Sequence, residues 1–193
     1  MDEHVCPVWG GYFLANRLRK LLQNPRRILG PYVRAGMTVL DVGSAMGFFS
    51  LPMAEMVGSG GKVVCVDVQP GMLRVLRRRA AQAGLADRIE THESTAHAIG
   101  LQGRDGTFDF ALAFTVLHEV GDLSGFLREI YQLLQPQTRF LLTEPVKRVS
   151  RTDFDRTISL AQAQGFTVID HPDIRLSHTA VLMKSSGYEP RAE

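Results

Sequence analysis

The fold is decided by the stretch Val39-Leu40-Asp41-Val42-Gly43-Ser44-Ala45-Met46-Gly47-Phe48-Phe49. Its first part is an apolar run interrupted only by one acid, which is typical of a buried parallel strand over residues 38–42. Small residues follow, and an amphipathic helix is predicted to begin at Phe49. Gly43 and Gly47 remove side chains where a ligand must lie against the backbone, and the N–H groups of a helix N-terminus point at that ligand. The stretch therefore predicts a strand, a ligand-binding turn and a helix.

A second acidic residue, Asp67, lies twenty residues beyond Gly47 at the end of the next predicted strand. A carboxylate at that place can accept two hydrogen bonds from a ribose diol. The dinucleotide fingerprint requires G-x-G-x-x-G, whereas this turn reads Asp41-x-Gly43-x-Ala45-x-Gly47. A carboxylate at the first position suits a cation such as a methionine ammonium and would repel a pyrophosphate. The two acids therefore indicate a nucleoside ligand that carries a positive charge.

Strand-like runs alternate with helical patterns along most of the chain, which is typical of an α/β fold with a parallel sheet. Strands are predicted at residues 38–42, 62–66, 88–92, 107–114 and 139–143, and two more at 166–169 and 179–183. No helix is predicted between the last two, so they should form an antiparallel hairpin. Helices are predicted at residues 14–22, 25–33, 49–57, 73–83, 123–134 and, behind a capping box of Ser150 and Asp153, up to Gly165.

Length and composition predict a single domain over residues 1–193 that buries a sizeable core without a metal or a disulfide. The 22 Lys and Arg residues against 20 Asp and Glu residues leave a formal charge of +2, too small to argue for a nucleic-acid partner. The two cysteines, Cys6 and Cys65, form no CxxC pair, which favours a reducing compartment. Without a signal peptide or an apolar run of roughly 20 residues, we expect a soluble cytoplasmic protein that contacts no membrane.

The chain resembles the class I S-adenosylmethionine-dependent methyltransferases over about residues 37–184. The resemblance rests on the glycine turn, on Asp67, on Phe108-Asp109-Phe110 leading into the fourth strand, and on the terminal hairpin. It implies a Rossmann-like, mostly parallel seven-stranded sheet with helices on both faces and the last strand inserted antiparallel beside the fifth. It also implies S-adenosylmethionine as cofactor. Ala45 stands where the family more often has glycine.

The resemblance assigns cofactor contacts residue by residue. The methionine part would contact Asp41, Gly43, Ser44 and Gly47, and the ribose would be held by Asp67 with Val68 and Gln69 beside it. The adenine would lie near Met72 and the loop Ser94, Thr95 and Ala96, and the sulfonium near Phe114 and Thr115. Met72 could equally be ordinary core. Many relatives have Asp in place of Ser94.

Four residues are candidates for the part of the site that binds the methyl acceptor. Two of them are candidate catalytic residues and two are aromatic. His118 follows the fourth strand, where the family's loop faces the methyl group, and a neutral imidazole can act as a base near neutral pH. A hydrogen-bonded role at a helix start is the alternative for His118. Glu144, after the fifth strand, is a second carboxylate candidate. Residues 1–36 are predicted to form an N-terminal helical extension in which Trp9 and Tyr12 either close the site as a lid or pack as a hydrophobic plug.

The favoured function is methyl transfer to a small-molecule acceptor by in-line displacement, in a monomer or homodimer. A nicotinamide-dependent oxidoreductase is the first alternative, opposed by the missing fingerprint glycine and by the terminal hairpin. A non-catalytic S-adenosylmethionine-binding protein is the second, opposed by the presence of both Asp41 and Asp67. The run Arg77-Arg78-Arg79 is interpreted as a solvated helix face.

Overall fold

The computed structural model describes residues 23–185. These residues divide into two compact units, the first ending at Thr95 and the second beginning at Ala96. Trp9, Tyr12 and the helix expected at residues 14–22 lie outside the described part of the chain. Among the residues described, no helix combines the length and the apolar character that crossing a membrane requires.

Within residues 23–95, the first unit has three parallel strands and three α-helices. Their bounds are Pro25–Leu29 (α1), Thr38–Val42 (β1), Ser50–Val57 (α2), Lys62–Asp67 (β2), Pro70–Gln82 (α3) and Ile89–Glu93 (β3). β2 pairs in parallel with β1 on one side and with β3 on the other. Val39, Leu40, Val63 and Val64 are fully buried, because a parallel strand covered on both faces needs apolar side chains in succession.

Between Ala96 and Ser185 the second unit has four strands and two α-helices. Their bounds are Phe108–Phe114 (β4), Leu123–Leu133 (α4), Leu134–Pro145 (β5), Arg151–Ala163 (α5), Phe166–Asp170 (β6) and Ser177–Lys184 (β7). β4 and β5 are parallel, whereas β7 runs antiparallel to both β5 and β6. The strand order of the sheet is β3-β2-β1-β4-β5-β7-β6. This confirms the predicted seven-stranded, mostly parallel sheet with its antiparallel hairpin and with the last strand beside the fifth.

The fifth strand is longer than the sequence predicts, since it begins at Leu134 directly after α4. Its register against β4 slips, because Phe108 pairs with Leu134 while Phe110 pairs with Arg139. Gln137, inside the slipped segment, has a φ of 62°. The extra residues form a bulge, which lacks the apolar run that identifies a strand in sequence.

Helix ends agree with the predicted capping signals. The Ser150 hydroxyl accepts a hydrogen bond from the Asp153 backbone N–H at 3.1 Å, which confirms the N-cap of α5. That helix ends at Ala163, two residues before Gly165, which has a φ of 101°. Gly84 has a φ of 68° beyond the end of α3.

Candidate functional site

The glycine turn of the first unit is hydrogen-bonded to the end of β2. The N–H groups of Gly43 and Ser44 both donate to the carbonyl of Val66, at 2.8 and 3.0 Å. Gly43 and Gly47 have φ values of 72° and 82°, which favour glycine. A Cβ atom on Gly47 would lie 3.2 Å from Leu76 Cγ on α3. Gly47 is therefore needed for the close approach of α3 as well as for a backbone open to a ligand.

Asp41, at the end of β1, is a buried carboxyl with one strong partner. Its residue is 3% exposed, and the Ser50 hydroxyl at the start of α2 donates to its Oδ2 at 2.5 Å. Burial raises the pKa of Asp41 to about 7; the hydrogen bond from Ser50 lowers this pKa, and the charge of Asp67 raises it. A bound cation would therefore favour the ionised carboxylate form of Asp41 near neutral pH.

Asp67, at the end of β2, holds the turn with both carboxylate oxygens. Oδ2 accepts from the Ala45 N–H at 2.8 Å, and Oδ1 accepts from the Gln69 N–H at 2.9 Å. Each oxygen has a second lone pair for a further donor. Burial raises the pKa of Asp67 even though these two backbone hydrogen bonds lower it. The first unit therefore brings two buried carboxyl groups, Asp41 and Asp67, into electrostatic contact, an arrangement that favours a cationic ligand.

Ala45, the departure from the family's glycine, has a left-handed φ of 46°. We expect Ala45→Gly to raise the free energy of unfolding by about 0.5–1 kcal/mol, since left-handed backbone costs alanine about 1–2 kcal/mol and the flexibility of glycine offsets part of this. Urea denaturation measures the change. The matched reverse substitution is Gly84→Ala, at φ 68° and with no atom within 4 Å of the place that the added methyl group would occupy, which should lower stability by a similar amount. An unchanged or lower stability of Ala45→Gly would contradict backbone strain at this position.

The other predicted cofactor residues of this unit differ in exposure. Met72 on α3 is 2% exposed, which agrees with a core position, and Val68 is 37% exposed. The Ser94 N–H donates to the Asp67 carbonyl at 3.1 Å, so the loop after β3 is attached to the end of β2. Thr95 is exposed, and Ala96 belongs to the second unit, where its carbonyl accepts from the Gly121 N–H at 3.4 Å.

Arg79 corrects the interpretation of the three arginines as a solvated face. Its guanidinium donates to the carbonyl of Met46 in the glycine turn, and burial lowers its pKa. Arg77 donates to the Thr91 hydroxyl at 2.7 Å, and Arg78 is exposed. The sequence signal that could have indicated this contact is the helical period, since Arg79 lies three residues after the buried Leu76.

We expect Arg79→Ala to weaken S-adenosylmethionine binding by about threefold to tenfold, because a hydrogen bond from a charged donor contributes roughly 1.5 kcal/mol or less net when it is half exposed. Calorimetric titration of the purified variant measures the dissociation constant. Arg78→Ala, on the exposed neighbour, is the matched control and should bind as the parent does. Equal affinities for the two variants would show that the Arg79 contact does not order the turn.

The second unit brings the two candidate catalytic residues together. Residues Leu117–Glu119 form a short 3-10 turn after β4. Glu144, 1% exposed at the end of β5, places its Oε2 atom 2.5 Å from His118 Nδ1 and accepts from the Leu117 N–H on Oε1 at 2.8 Å. The hydrogen bond with Glu144 raises the pKa of His118, while partial burial opposes this. Glu144 thus holds both the turn and the ring that the turn carries.

Thr115, a predicted cofactor residue, connects β4 to this turn in an unusual conformation. Its φ is 59°, which is rare for a β-branched residue, and its N–H donates to the Thr143 carbonyl on β5 at 2.8 Å. Phe114, the residue before it, is 6% exposed. Strain of this kind persists where the surrounding structure holds it and is concentrated at functional sites.

Sequence reasoning named His118 and Glu144 separately and missed their contact. They are 26 residues apart, but His118 follows the carboxyl end of β4 and Glu144 lies at the carboxyl end of β5, and these two strands pair with each other. The signal that could have predicted the contact is this adjacency, because the carboxyl ends of neighbouring parallel strands lie at one edge of a sheet.

One further feature of the first unit bears on its fit to S-adenosylmethionine. The Ser44 hydroxyl in the glycine turn is buried and has no hydrogen-bond partner among residues 23–185. A buried polar atom of this kind is rare and indicates a ligand or a water. Together with two carboxyl groups for a cation and a ribose, and with a turn of small residues, it forms a donor and acceptor set that fits the cofactor.

A family profile described as a methyltransferase domain matches residues 34–174. The chain therefore belongs to the methyltransferase-domain family, and its relatives place it among the class I S-adenosylmethionine-dependent methyltransferases. This confirms the resemblance found in the sequence and the expected cofactor, S-adenosylmethionine.

Two curated relatives are methyltransferases whose names contain a quinone. The chain is 29% identical over 161 residues to a ubiquinone/menaquinone biosynthesis C-methyltransferase UbiE of Hahella chejuensis, covering 83% of this chain and 60% of the relative. It is 36% identical over 120 residues to a demethylmenaquinone methyltransferase of Symbiobacterium thermophilum, covering 62% of this chain and 47% of the relative. The chain thus spans about half to three fifths of the length of these relatives.

Among solved structures, an S-adenosylmethionine-dependent methyltransferase from Aquifex aeolicus has the same fold. The TM-score is 0.82 at 24% sequence identity, and the match covers 93% of this chain and 100% of that one. At this identity the likeness supports the fold and leaves the acceptor open.

Proposed function

We propose that this protein transfers a methyl group from S-adenosylmethionine to a small molecule that gives up a proton to His118. The observation that carries the proposal is the 2.5 Å contact between Glu144 Oε2 and His118 Nδ1, in a chain of the methyltransferase family. A carboxylate that is fixed on one ring nitrogen leaves the other available as a base. We further propose that residues 1–193 act as one functional domain, and that the protein is cytoplasmic and monomeric or dimeric.

The cofactor supplies an electrophilic methyl group on a sulfonium when it is bound. In our proposal Asp41 accepts the methionine ammonium, the turn from Gly43 to Gly47 lies against the methionine chain, and Asp67 accepts from the ribose hydroxyls. Its backbone partners Ala45 and Gln69 hold the Asp67 carboxylate still, so no reorganisation is needed on binding. Phe114 and Thr115 are assigned to the part of the site that lies near the sulfonium and its methyl group.

His118 would act through Nε2. Glu144 Oε2 keeps the Nδ1 proton in place, because a carboxylate oxygen at that distance must be matched by a donor. The lone pair then lies on Nε2, which can accept the acceptor's proton as the methyl is transferred in line. The Leu117 N–H on Glu144 Oε1 fixes the carboxylate, so the ring keeps its orientation during proton transfer.

The relatives suggest the type of acceptor. One is named a ubiquinone/menaquinone biosynthesis C-methyltransferase and the other a demethylmenaquinone methyltransferase. A ring carbon becomes a nucleophile when a neighbouring ring hydroxyl loses its proton, and a partly buried imidazole paired with a carboxylate is suited to remove it. We therefore propose a phenolic or hydroquinone acceptor methylated on carbon. Trp9 and Tyr12 remain a proposed lid over this acceptor.

The test is incubation with methyl-labelled S-adenosylmethionine and a naphthohydroquinone that has a free ring carbon, followed by mass spectrometry. A simple amine and a carboxylic acid serve as competing acceptors, and a fractionated metabolite extract covers other classes. Labelled product from the hydroquinone supports the proposal. Calorimetry with S-adenosylmethionine and with NAD accompanies the assay, and cofactor binding with no labelled product in any fraction would favour a non-catalytic protein.

A further inference from the structure

The Thr143 hydroxyl on β5 is a buried polar group without a hydrogen bond. Thr143 is fully buried, and its Oγ1 atom has no partner in the part of the chain that the structure describes. The carbonyl of the same residue is satisfied, since it accepts from the Thr115 N–H at 2.8 Å. A buried hydroxyl without a partner costs free energy and is rare in native proteins. The Thr143 hydroxyl therefore indicates a ligand or a water that supplies the missing bond.

Strand pairing places this hydroxyl in a row of side chains on one face of the sheet. Thr143 pairs with Phe114 on β4 and with Thr179 on β7, and paired residues of neighbouring strands point to the same face. The Thr179 hydroxyl donates to the Pro172 carbonyl. Phe114 is assigned above to the part of the site near the sulfonium. The unsatisfied hydroxyl of Thr143 is therefore next to a residue of the proposed reaction site.

The proposed base lies at the same end of β5. Glu144, the residue after Thr143, has its Oε2 atom 2.5 Å from His118 Nδ1. Because successive side chains of a strand point to opposite faces, Thr143 and Glu144 lie on different faces of the sheet. An acceptor that lies across the end of β5 can therefore contact a different side chain on each face.

The proposed acceptor has an oxygen that needs such a partner. A hydroquinone carries two ring oxygens, and His118 takes a proton from only one of them. The other oxygen loses its hydrogen bonds to water when the ring is enclosed, which costs free energy unless a protein group replaces them. The Thr143 hydroxyl and this second oxygen therefore each lack the bond that the other can provide.

We propose that Thr143 Oγ1 hydrogen-bonds the second oxygen of the acceptor and so selects rings that carry an oxygen on each side. This inference rests on the proposed function and deepens it, because it names the group that distinguishes a hydroquinone from a simple phenol. Since the hydroxyl is closed to solvent, a covering side chain must move before the acceptor reaches it. The bond then forms without any further desolvation of the hydroxyl.

The variant Thr143→Val tests the hydroxyl with almost no change of side-chain shape. Removing an unsatisfied buried hydroxyl relieves its desolvation cost, so the urea midpoint of Thr143→Val should rise. Thr179→Val is the matched control on the paired strand. Its hydroxyl already has a protein partner, so Thr179→Val should lower the midpoint. Thr143→Ser keeps the hydroxyl and is the conservative variant.

Binding is measured by calorimetry on the full chain with S-adenosylhomocysteine present and oxygen excluded, so that no methyl group is transferred. The two ligands are the naphthohydroquinone and the matching naphthol, which lacks the second ring oxygen. The parent and Thr143→Ser should prefer the hydroquinone, and this preference should fall by about threefold to tenfold in Thr143→Val, the usual effect of one neutral hydrogen bond. Thr179→Val should keep the preference of the parent.

An unchanged preference in Thr143→Val would overturn the proposal, and so would a lower urea midpoint, which is the result expected if a bridging water satisfies the hydroxyl. The proposed function is judged separately by the labelling assay. If the preference falls as expected but the naphthohydroquinone gains no label, the Thr143 contact stands and the proposed methyl transfer fails. If label is gained and the preference is unchanged, only the Thr143 contact fails.

Discussion

Replacing His118 by alanine is expected to lower the rate of methyl transfer by about 10²–10⁴-fold, the usual contribution of a positioned base. The cofactor contacts assigned to the first unit do not involve this side chain, so the affinity for S-adenosylmethionine should stay within about threefold. Single-turnover assays with labelled cofactor measure the rate, and calorimetry measures the affinity. His92→Ala, on a half-buried histidine of β3, is the control and should retain the parent rate.

Glu144→Gln tests the same base through its partner. The hydrogen bond that His118 donates to Glu144 raises the His118 pKa, so the parent should be active only above that raised value, where the imidazole is neutral. Without the carboxylate the His118 pKa falls, and the acidic limb of the rate profile moves to lower pH. The plateau should also fall by about tenfold or more, because an amide holds the ring tautomer less well. A profile of kcat against pH records both changes. An unshifted limb in Glu144→Gln would show that His118 is not the titrating base.

The second large effect is expected at Asp41, where one substitution should change stability and binding in opposite directions. Burial raises the Asp41 pKa from 3.8 to about 7. The folded state therefore binds this proton more tightly than the unfolded state, and the stability that the group contributes is complete below about pH 4 and is lost as the pH rises through 7. An asparagine side chain at this position would carry no charge at any pH. We expect Asp41→Asn to unfold like the parent near pH 4 and to be more stable by about 3–4 kcal/mol above pH 7.

Cofactor binding should respond in the other direction. An ionised Asp41 would be the partner of the methionine ammonium, and removing one member of a buried charge pair costs about 2–5 kcal/mol. The dissociation constant of Asp41→Asn for S-adenosylmethionine should therefore rise by about 100-fold or more. In the parent, affinity should rise as the pH increases up to about 7 and then level off, since a cation binds the ionised form.

The variant Ser50→Ala tests the hydrogen bond to Asp41 separately from the carboxyl group itself. It keeps Asp41 but removes the donor that lowers the Asp41 pKa, so the pH at which cofactor affinity levels off should move upward while the affinity at high pH is retained. Denaturation curves and calorimetry at several pH values measure the two effects together. If the variant Asp41→Asn binds the cofactor as tightly as the parent does, Asp41 does not contact the cofactor.

The sequence determined the elements that depend on neighbouring residues. The first strand, Thr38–Val42, was predicted to the residue, because its apolar run and the glycine turn both lie in one short stretch. The caps at Ser150 and Gly84 were likewise predicted from local chemistry. The family followed from the same stretch together with Asp67, since a strand end, a turn and a second strand end lie within one βαβ unit.

Only the tertiary structure decided which distant side chains meet. Glu144 and His118 are joined because β4 and β5 pair in parallel, and Arg79 reaches Met46 because α3 packs against the turn at Gly47. The bulge after Leu134 likewise depends on its pairing with β4. Local patterns record which residues a backbone segment can accommodate, whereas contacts between distant segments depend on strand order and register, which no single stretch encodes.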